Sequence, residues 1–271
     1  MRENMKKYLK PYLFFLFMIV FAMTCANITL ASDSSLDAAQ GEAAVQAQDS
    51  SLNMEEDESY LEEWTGESGV SDLSDPLEPV NRVFYHFNDK LYFWGIKPVC
   101  KVYNKVFPEP VRRGFKNFFS NVYTPVRAAN CLLQGKVAGF WKEIARFIIN
   151  TTSGYLGFRD AAFQNYRVEK SNEDFGQTLA VYGLGNGPYL VIPFIGPTTL
   201  RDGAGIAADG YLNPPNYFLS FYEIMGKSAG EKVNDVSLRL GEYESFKETA
   251  IDPYVSIRQA YYQYRQKQIA K

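Results

Sequence analysis

The chain has one histidine, three cysteines and three tryptophans in 271 residues, and these shortages remove several kinds of chemistry. The single histidine, His86, falls inside a helical pattern beside an apolar stripe, where a satisfied helical side chain fits better than a general base. No GxSxG elbow, HExxH helix or Cys-plus-His signature accompanies it. Acid pairs such as Glu173-Asp174 occur, but a chain with 31 acidic residues acquires such pairs by number alone. No CxxC or Cys/His spacing offers a metal site. Gly183, Gly185 and Gly187 form GxGxG followed by Pro188 rather than GxGxxG, and no βαβ unit surrounds them. The expectation is a protein without catalytic residues, cofactor, metal or nucleic-acid partner.

Long apolar runs are missing as well. After the first thirty residues no stretch approaches the roughly 20 apolar residues that a spanning helix needs. The repeated ten-residue alternation of a membrane barrel is also absent. Basic residues are missing from one region entirely: residues 33–78 carry 14 acidic side chains and no Lys or Arg. Residues 79–271 carry 24 basic against 16 acidic, a net of +8, so the overall −3 hides an acidic arm joined to a basic body. Outside the cytoplasm, such a body suits anionic headgroups or an acidic partner, or is a solvated surface.

The N-terminus has the order of an export signal: Arg2, Lys6, Lys7 and Lys10, then an uncharged apolar run from Tyr12 to Met23, then small residues to Ala31. Residues 1–31 read as a signal peptide cut after Ala31. A cut before Cys25, with that residue lipidated, is the alternative, although Ala22-Met23-Thr24 makes a poor lipobox. Residues 32–72, rich in Ser, Ala, Gln, Asp and Glu, cannot bury enough surface to offset their ordering entropy and read as a disordered linker. Apart from Cys25, the chain has Cys100 and Cys131, both in apolar surroundings, where two buried free thiols fit better than a bridge.

The folded part spans 73–271 and reads as all-α with irregular connections. Asp75-Pro76-Leu77-Glu78 resembles a helix start with a capping carboxylate, with a restart at Pro79 as the complication. Val80, Val83, Phe84, Phe87, Leu91 and Trp94 then form an apolar stripe, and Pro98 and Pro108 punctuate the chain beyond it. The clearest helix runs from about Lys136 to Asn150. Val137, Phe140, Trp141, Ile144, Ala145 and Ile148 form its apolar side, and Gly139, Lys142, Glu143, Arg146 and Asn150 its opposite side. Phe147 and Ile149 widen the apolar sector, which suits a membrane interface or packing on two sides by protein. Ser228 to Glu231 reads as a capping box opening a helix through Leu240, and Asp252-Pro253 opens the last helix, with Tyr254, Ile257, Tyr261 and Tyr264 along one side.

Residues 183–205 read as neither helix nor ordinary strand. They hold six Gly and three Pro around a greasy centre from Tyr189 to Ile195. Backbone this irregular and this apolar is tolerated at membrane depth only when packed in protein or lining a cavity. It is either a wall of an apolar passage or a Pro/Gly surface loop with a buried middle.

Several motifs in fixed order resemble the MlaA (VacJ) family of outer-membrane proteins, over roughly Asp75 to Gln266. They are Asp75-Pro76-Leu77-Glu78-Pro79-Val80-Asn81-Arg82, Phe107-Pro108-Glu109-Pro110-Val111-Arg112, Asn117-Phe118, Leu133-Gln134-Gly135 and Arg146-Phe147-Ile148-Ile149-Asn150-Thr151. Glu173-Asp174-Phe175-Gly176-Gln177-Thr178-Leu179, the whole of 183–202, Asp252-Pro253-Tyr254 and Arg258-Gln259-Ala260-Tyr261 complete them. The resemblance implies a ring-like bundle of amphipathic helices in the inner leaflet of the outer membrane, with an amphipathic channel. It implies transfer of misplaced phospholipids from the outer leaflet to a periplasmic carrier of the MlaC type, and association with a trimeric porin. By the same resemblance Gly183, Gly185, Gly187, Pro188 and Tyr189 belong to the lipid path, and Asn150, Arg201 and Asp202 to its frame. The alternative is a non-catalytic scaffold that accompanies a porin. The weak lipobox at Cys25 and the long acidic arm depart from the family pattern.

Overall fold

The computed structural model describes residues 75–270, so the signal-peptide, lipidation and linker expectations lie outside the described residues. Helices dominate: α1 (Glu78–Leu91), α2 (Lys97–Val106), α3 (Glu109–Val122), α4 (Thr124–Leu133), α5 (Val137–Thr152), α6 (Ala161–Tyr166) and α7 (Phe175–Val181). A hairpin of β1 (Tyr189–Ile192) and β2 (Gly196–Thr199) comes next, then α8 (Leu200–Leu212), α9 (Phe221–Leu238), α10 (Glu242–Thr249) and α11 (Pro253–Ile269). A π-helical turn, Tyr92–Ile96, links α1 to α2, and a 3₁₀ turn, Pro214–Tyr217, precedes α9. Among the described residues no helix is long and apolar enough to cross a membrane.

The local start signals are partly redistributed. α1 starts at Glu78, with Pro79 in its first turn where an N–H has no intrahelical acceptor to lose. Asp75 does not cap it; its carboxylate accepts from Asn81 Nδ2 (2.9 Å), the Tyr254 hydroxyl and Arg258 (3.2 Å), tying the start of the domain to α11. The expected capping box at Ser228 is wrong. α9 opens eight residues earlier, where Ser220 and Glu223 cap reciprocally, and Glu231 pairs instead with Lys227 inside the helix at 2.9 Å. Asp252 does cap α11, accepting from Tyr254 N and Val255 N. Within 183–205 the expectation of neither helix nor strand fails over two stretches: 189–199 pairs as an antiparallel hairpin, and Leu200 onward is helix capped by the Thr199 side chain.

The polarity of the interior is the main departure from a soluble helical domain. Among the described residues, nine hydrophobic side chains are buried against twenty polar or charged ones, which reverses the usual order. α5 shows how. Its polar side, Glu143, Arg146 and Asn150, faces inward, with Glu143 fully buried. Its apolar side, Val137, Trp141, Phe147 and Ile148, is exposed, Trp141 by 63%. α1 repeats the pattern: Asn81 is buried, whereas Val80, Val83 and Phe87, and Trp94 just beyond, are exposed. The apolar core is small and consists of Tyr189, Val191 and Tyr254, with Phe84, Tyr85, Val255 and Tyr261 against them.

Buried polar groups are stable only when paired, and the charged and amide groups between the helices are paired across them, although single atoms such as the Tyr189 hydroxyl and Asn213 Oδ1 have no partner. Glu143 accepts from Arg127 Nε at 2.8 Å and from Ser171 N at 2.7 Å. Asn130 donates to Asp209 (2.8 Å) and accepts from Thr178 (2.9 Å), joining α4, α7 and α8. Arg112 donates to the Ser237 carbonyl at 2.7 Å, and Asn234 donates to the Arg112 carbonyl at 2.9 Å, joining α3 to α9. Cys100 and Cys131 are buried and unbridged.

Candidate functional site

The segment 183–202 begins as the end of α7. Gly183 takes a φ of +85° and donates to the Ala180 carbonyl at 2.9 Å, while Leu184 donates to the Leu179 carbonyl at 3.0 Å. This is a Schellman termination, which asks for glycine at that residue. The chain then runs exposed through Leu184 and Gly185 to Gly187, whose φ is +67° and whose absent Cβ would lie 3.1 Å from Leu200 Cβ. Leu200 N donates to the Pro188 carbonyl (3.1 Å) and Arg201 N to the Asn186 carbonyl (3.2 Å), pinning this loop to the first turn of α8.

The three glycines are therefore not equivalent. Gly183 and Gly187 are required by their backbone angles. Gly185 has neither a left-handed φ nor any atom within 4 Å of where a Cβ would stand, so nothing in the fold demands glycine there. Pro188 is half-buried, and Tyr189 turns inward, 1% exposed, against Tyr254 and Tyr261 at ring separations of 6.2 Å.

Behind the loop lies a buried ionic network. Asp202 accepts from Arg201 Nε (2.9 Å), Tyr261 Oη (2.6 Å) and Arg265 Nε (2.9 Å). Arg265 also holds Asp174 at 2.6 and 3.0 Å. Burial alone would push the Asp202 carboxyl up, but the hydrogen bonds from Arg265 and Tyr261 outweigh it and hold the group below the usual carboxylate range. Burial, reinforced by Asp202, pushes the Tyr261 hydroxyl up. Asp209 differs: its burial is not fully offset by Asn130 and Phe175 N, and its carboxyl lies above the usual range. α7 and α8 approach closely enough that a Cβ on Gly205 would stand 2.4 Å from Gly176 N.

Of the expected frame residues, Arg201 and Asp202 adjoin the glycine loop, joined to it through the Arg201 N–H. Asn150 sits elsewhere, accepting from Ala162 N (2.8 Å) and donating to Asp160 (3.0 Å), which also pairs with Arg146 at 2.6 Å. Asn81 and Asp174 stand in the motifs quoted above without a role of their own, and Asn88 and Arg265 lie outside those motifs. Asn81 and Asn88 carry one local sign: two amides seven residues apart, hence on the same side of α1. Among the described residues no cluster of three or more His, Cys, Asp or Glu is placed to hold a metal ion.

The model of the MlaA lipoprotein family matches residues 73–268. The intermembrane phospholipid transport system lipoprotein MlaA of Escherichia coli K12 is 36% identical over 193 residues, 70% of this chain and 76% of that protein. The protein of the same name from Haemophilus influenzae is 31% identical over 202 residues, 72% of this chain and 78% of its own. An uncharacterized protein, RC0123, from Rickettsia conorii is 35% identical over 203 residues, 74% of this chain and 80% of its own. A chain solved for the structural basis of maintaining bacterial outer-membrane lipid asymmetry superposes with a TM-score of 0.65 at 33% identity, covering 72% of this chain and 99% of that one. With almost the whole described body matched by one family and its mainly helical fold shared with a solved relative, the chain belongs to the MlaA lipoprotein family.

Proposed function

We propose that this protein is the outer-membrane component of an intermembrane phospholipid transport system, and that it carries out no covalent chemistry. It sits in the inner leaflet, facing the periplasm, beside a trimeric porin. Misplaced phospholipids leave the outer leaflet through an amphipathic channel bordered by Gly183, Gly185, Gly187 and Pro188, with Tyr189 anchoring that segment from below. A periplasmic carrier of the MlaC type receives them, and lipid asymmetry is maintained.

The observation that carries this reading is the inverted polarity of the helices. Side chains such as Trp94, Trp141, Ile148 and Tyr222 are exposed while Glu143, Arg146, Asn150 and Asp202 are buried. Exposed apolar surface on this scale marks a membrane or protein contact, and helices lying in a leaflet present their apolar sides to acyl chains. Backbone that is irregular at such depth needs its polar groups satisfied by protein. The hairpin and loop meet that requirement through their bonds to α1 and α8.

Transfer of fluorescent phospholipid from vesicles carrying the purified protein to its periplasmic carrier tests the reading. Transfer that depends on the protein is the expected result. A protein that carries no phospholipid and accelerates no transfer, yet still binds porin, would establish the scaffold instead.

A further inference from the structure

Strand β1 has one edge paired with β2, in the register Tyr189↔Thr199 to Ile192↔Gly196. Its other edge would present bare N–H and C=O groups, a liability anywhere and most of all beside hydrocarbon. That edge is covered by two side-chain amides of α1. Asn81 donates to the Tyr189 carbonyl and accepts from Val191 N, both at 2.9 Å. Asn88 donates to the Ile192 carbonyl at 3.0 Å and accepts from Phe194 N at 2.8 Å. Each carboxamide thus acts as a peptide group of a missing neighbouring strand.

The spacing is matched on both partners. Seven helical residues advance about 10.5 Å. The two clasped sites, centred on Leu190 in β1 and on Pro193 where the turn begins, are three residues apart along a run that is extended as far as Ile192, about 10 Å. Seven residues are also nearly two full turns, so both amides leave the same side of α1. Phe87, one residue before Asn88, adds an edge-on ring contact with Phe194 at 5.4 Å. Phe194 itself is held with a φ of +67°, in the left-handed region where a bulky residue remains only when its surroundings fix it.

We propose that Asn81 and Asn88 are positioning residues for the lipid path: they make the hairpin an extension of α1 and so fix where the adjoining segment Gly183–Pro188 lies. This rests on the lipid-path reading above. The loop is tied to α8 through Pro188 and Asn186 on one side and, through β1, to α1 on the other. α1 carries the exposed stripe Val80, Val83 and Phe87, so the helix in contact with hydrocarbon is also the one that aims the loop.

Two substitutions at the half-buried Asn88 test this in the full-length protein. Asn88→Leu removes both bonds; Asn88→Asp keeps the acceptor for Phe194 N and loses the donor to Ile192. Amide exchange is followed across 189–196. Transfer to the carrier is measured from vesicles of phosphatidylethanolamine and phosphatidylglycerol, and thermal unfolding in the same detergent. For Asn88→Leu, exchange at Phe194 should rise about tenfold or more and transfer should fall about tenfold, with the exchange of α5 and α8 unaltered. Asn88→Asp should lie between. Faster exchange with wild-type transfer in both variants overturns the positioning role and leaves the transport reading standing. Unchanged exchange in both overturns the clasp itself. Absence of transfer by the wild-type protein is the different failure, that of the transport reading.

Discussion

Replacing Gly185 by leucine adds a side chain where the fold has room for one, and replacing Gly205 by alanine adds a single methyl where it has none. At Gly185 the new Cβ meets nothing within 4 Å and φ lies outside the left-handed region. The fold should lose nothing, and the reduced freedom of the unfolded chain should stabilise it by about 0.4–1 kcal/mol. At Gly205 the Cβ would stand 2.4 Å from Gly176 N and 2.8 Å from Gly176 Cα. These are backbone atoms, so α7 and α8 must separate, at about 3 kcal/mol or more. Urea or thermal unfolding in detergent should therefore rank Gly205→Ala well below wild type and Gly185→Leu at or above it. Outer-leaflet phospholipid in cells should show a different pattern. Gly185→Leu, fully folded, should accumulate phospholipid as a deletion does, because its side chain projects into the space assigned to the lipid. A folded Gly185→Leu protein with wild-type lipid asymmetry would refute the assignment of this loop to the path, whatever else the protein does.

Three further outcomes rest on the buried polar groups and the exposed apolar sides. Glu143→Leu makes the sequence more hydrophobic yet should destabilise by about 3–5 kcal/mol, because Arg127 loses its buried partner; denaturant midpoints check this. Trp141→Arg, on the exposed side of the same helix, should leave the detergent-solubilised fold within about 0.5 kcal/mol while weakening binding to phospholipid vesicles in a flotation assay. The Asp202 carboxyl titrates lower in the folded state than in the unfolded chain, so its contribution is complete above the ordinary carboxylate range and is lost as pH falls through its depressed value. Asp202→Asn should destabilise at neutral pH and flatten the acid limb of the stability curve, measured by thermal unfolding across pH.

Helices were readable wherever periodicity was strong. The pattern from Val137 to Ile148 predicts α5 within two residues at each end, and Asp252-Pro253 predicts the start of α11. The same pattern could not say which side of α5 faces inward. Apolar periodicity reports two sides of different polarity, and only the surrounding medium decides which is buried. Asp75 misled because a carboxylate three residues before a helical Glu has the form of a cap in any context; here Tyr254 and Arg258, about 180 residues along the chain, claim it instead. The hairpin at 189–199 was hidden by Pro193, Gly196 and Pro197, which argue against a strand in general but are accommodated here at a tip and on an edge. The clasp by Asn81 and Asn88 could not be read locally, since it depends on which backbone lies opposite α1. Resemblance over many motifs carried the family assignment; composition alone left the glycine loop as either a passage wall or a surface turn.

The polar interior also explains which forces hold the helices together. In water, helices associate by burying apolar sides; against hydrocarbon that drive vanishes, and association depends on close backbone approach, packing and interhelical hydrogen bonds. This chain has both replacements in one place. Gly176 and Gly205 let α7 and α8 touch along their backbones, and around that contact Asp174, Asp202, Tyr261 and Arg265 bind α7, α8 and α11 by five hydrogen bonds of 2.6–3.0 Å. A domain built for water would put leucines at that crossing and charges outside. The glycine loop is suspended from this junction through Leu200 and Arg201, so a buried ionic network is also the support of the segment assigned to the lipid. Loosening the junction should therefore impair transport before it unfolds the protein, and Tyr261→Phe, which removes one hydroxyl from Asp202 while keeping the ring, is the mildest way to see that order. Transport lost only in step with global unfolding would show that the junction supports the fold alone.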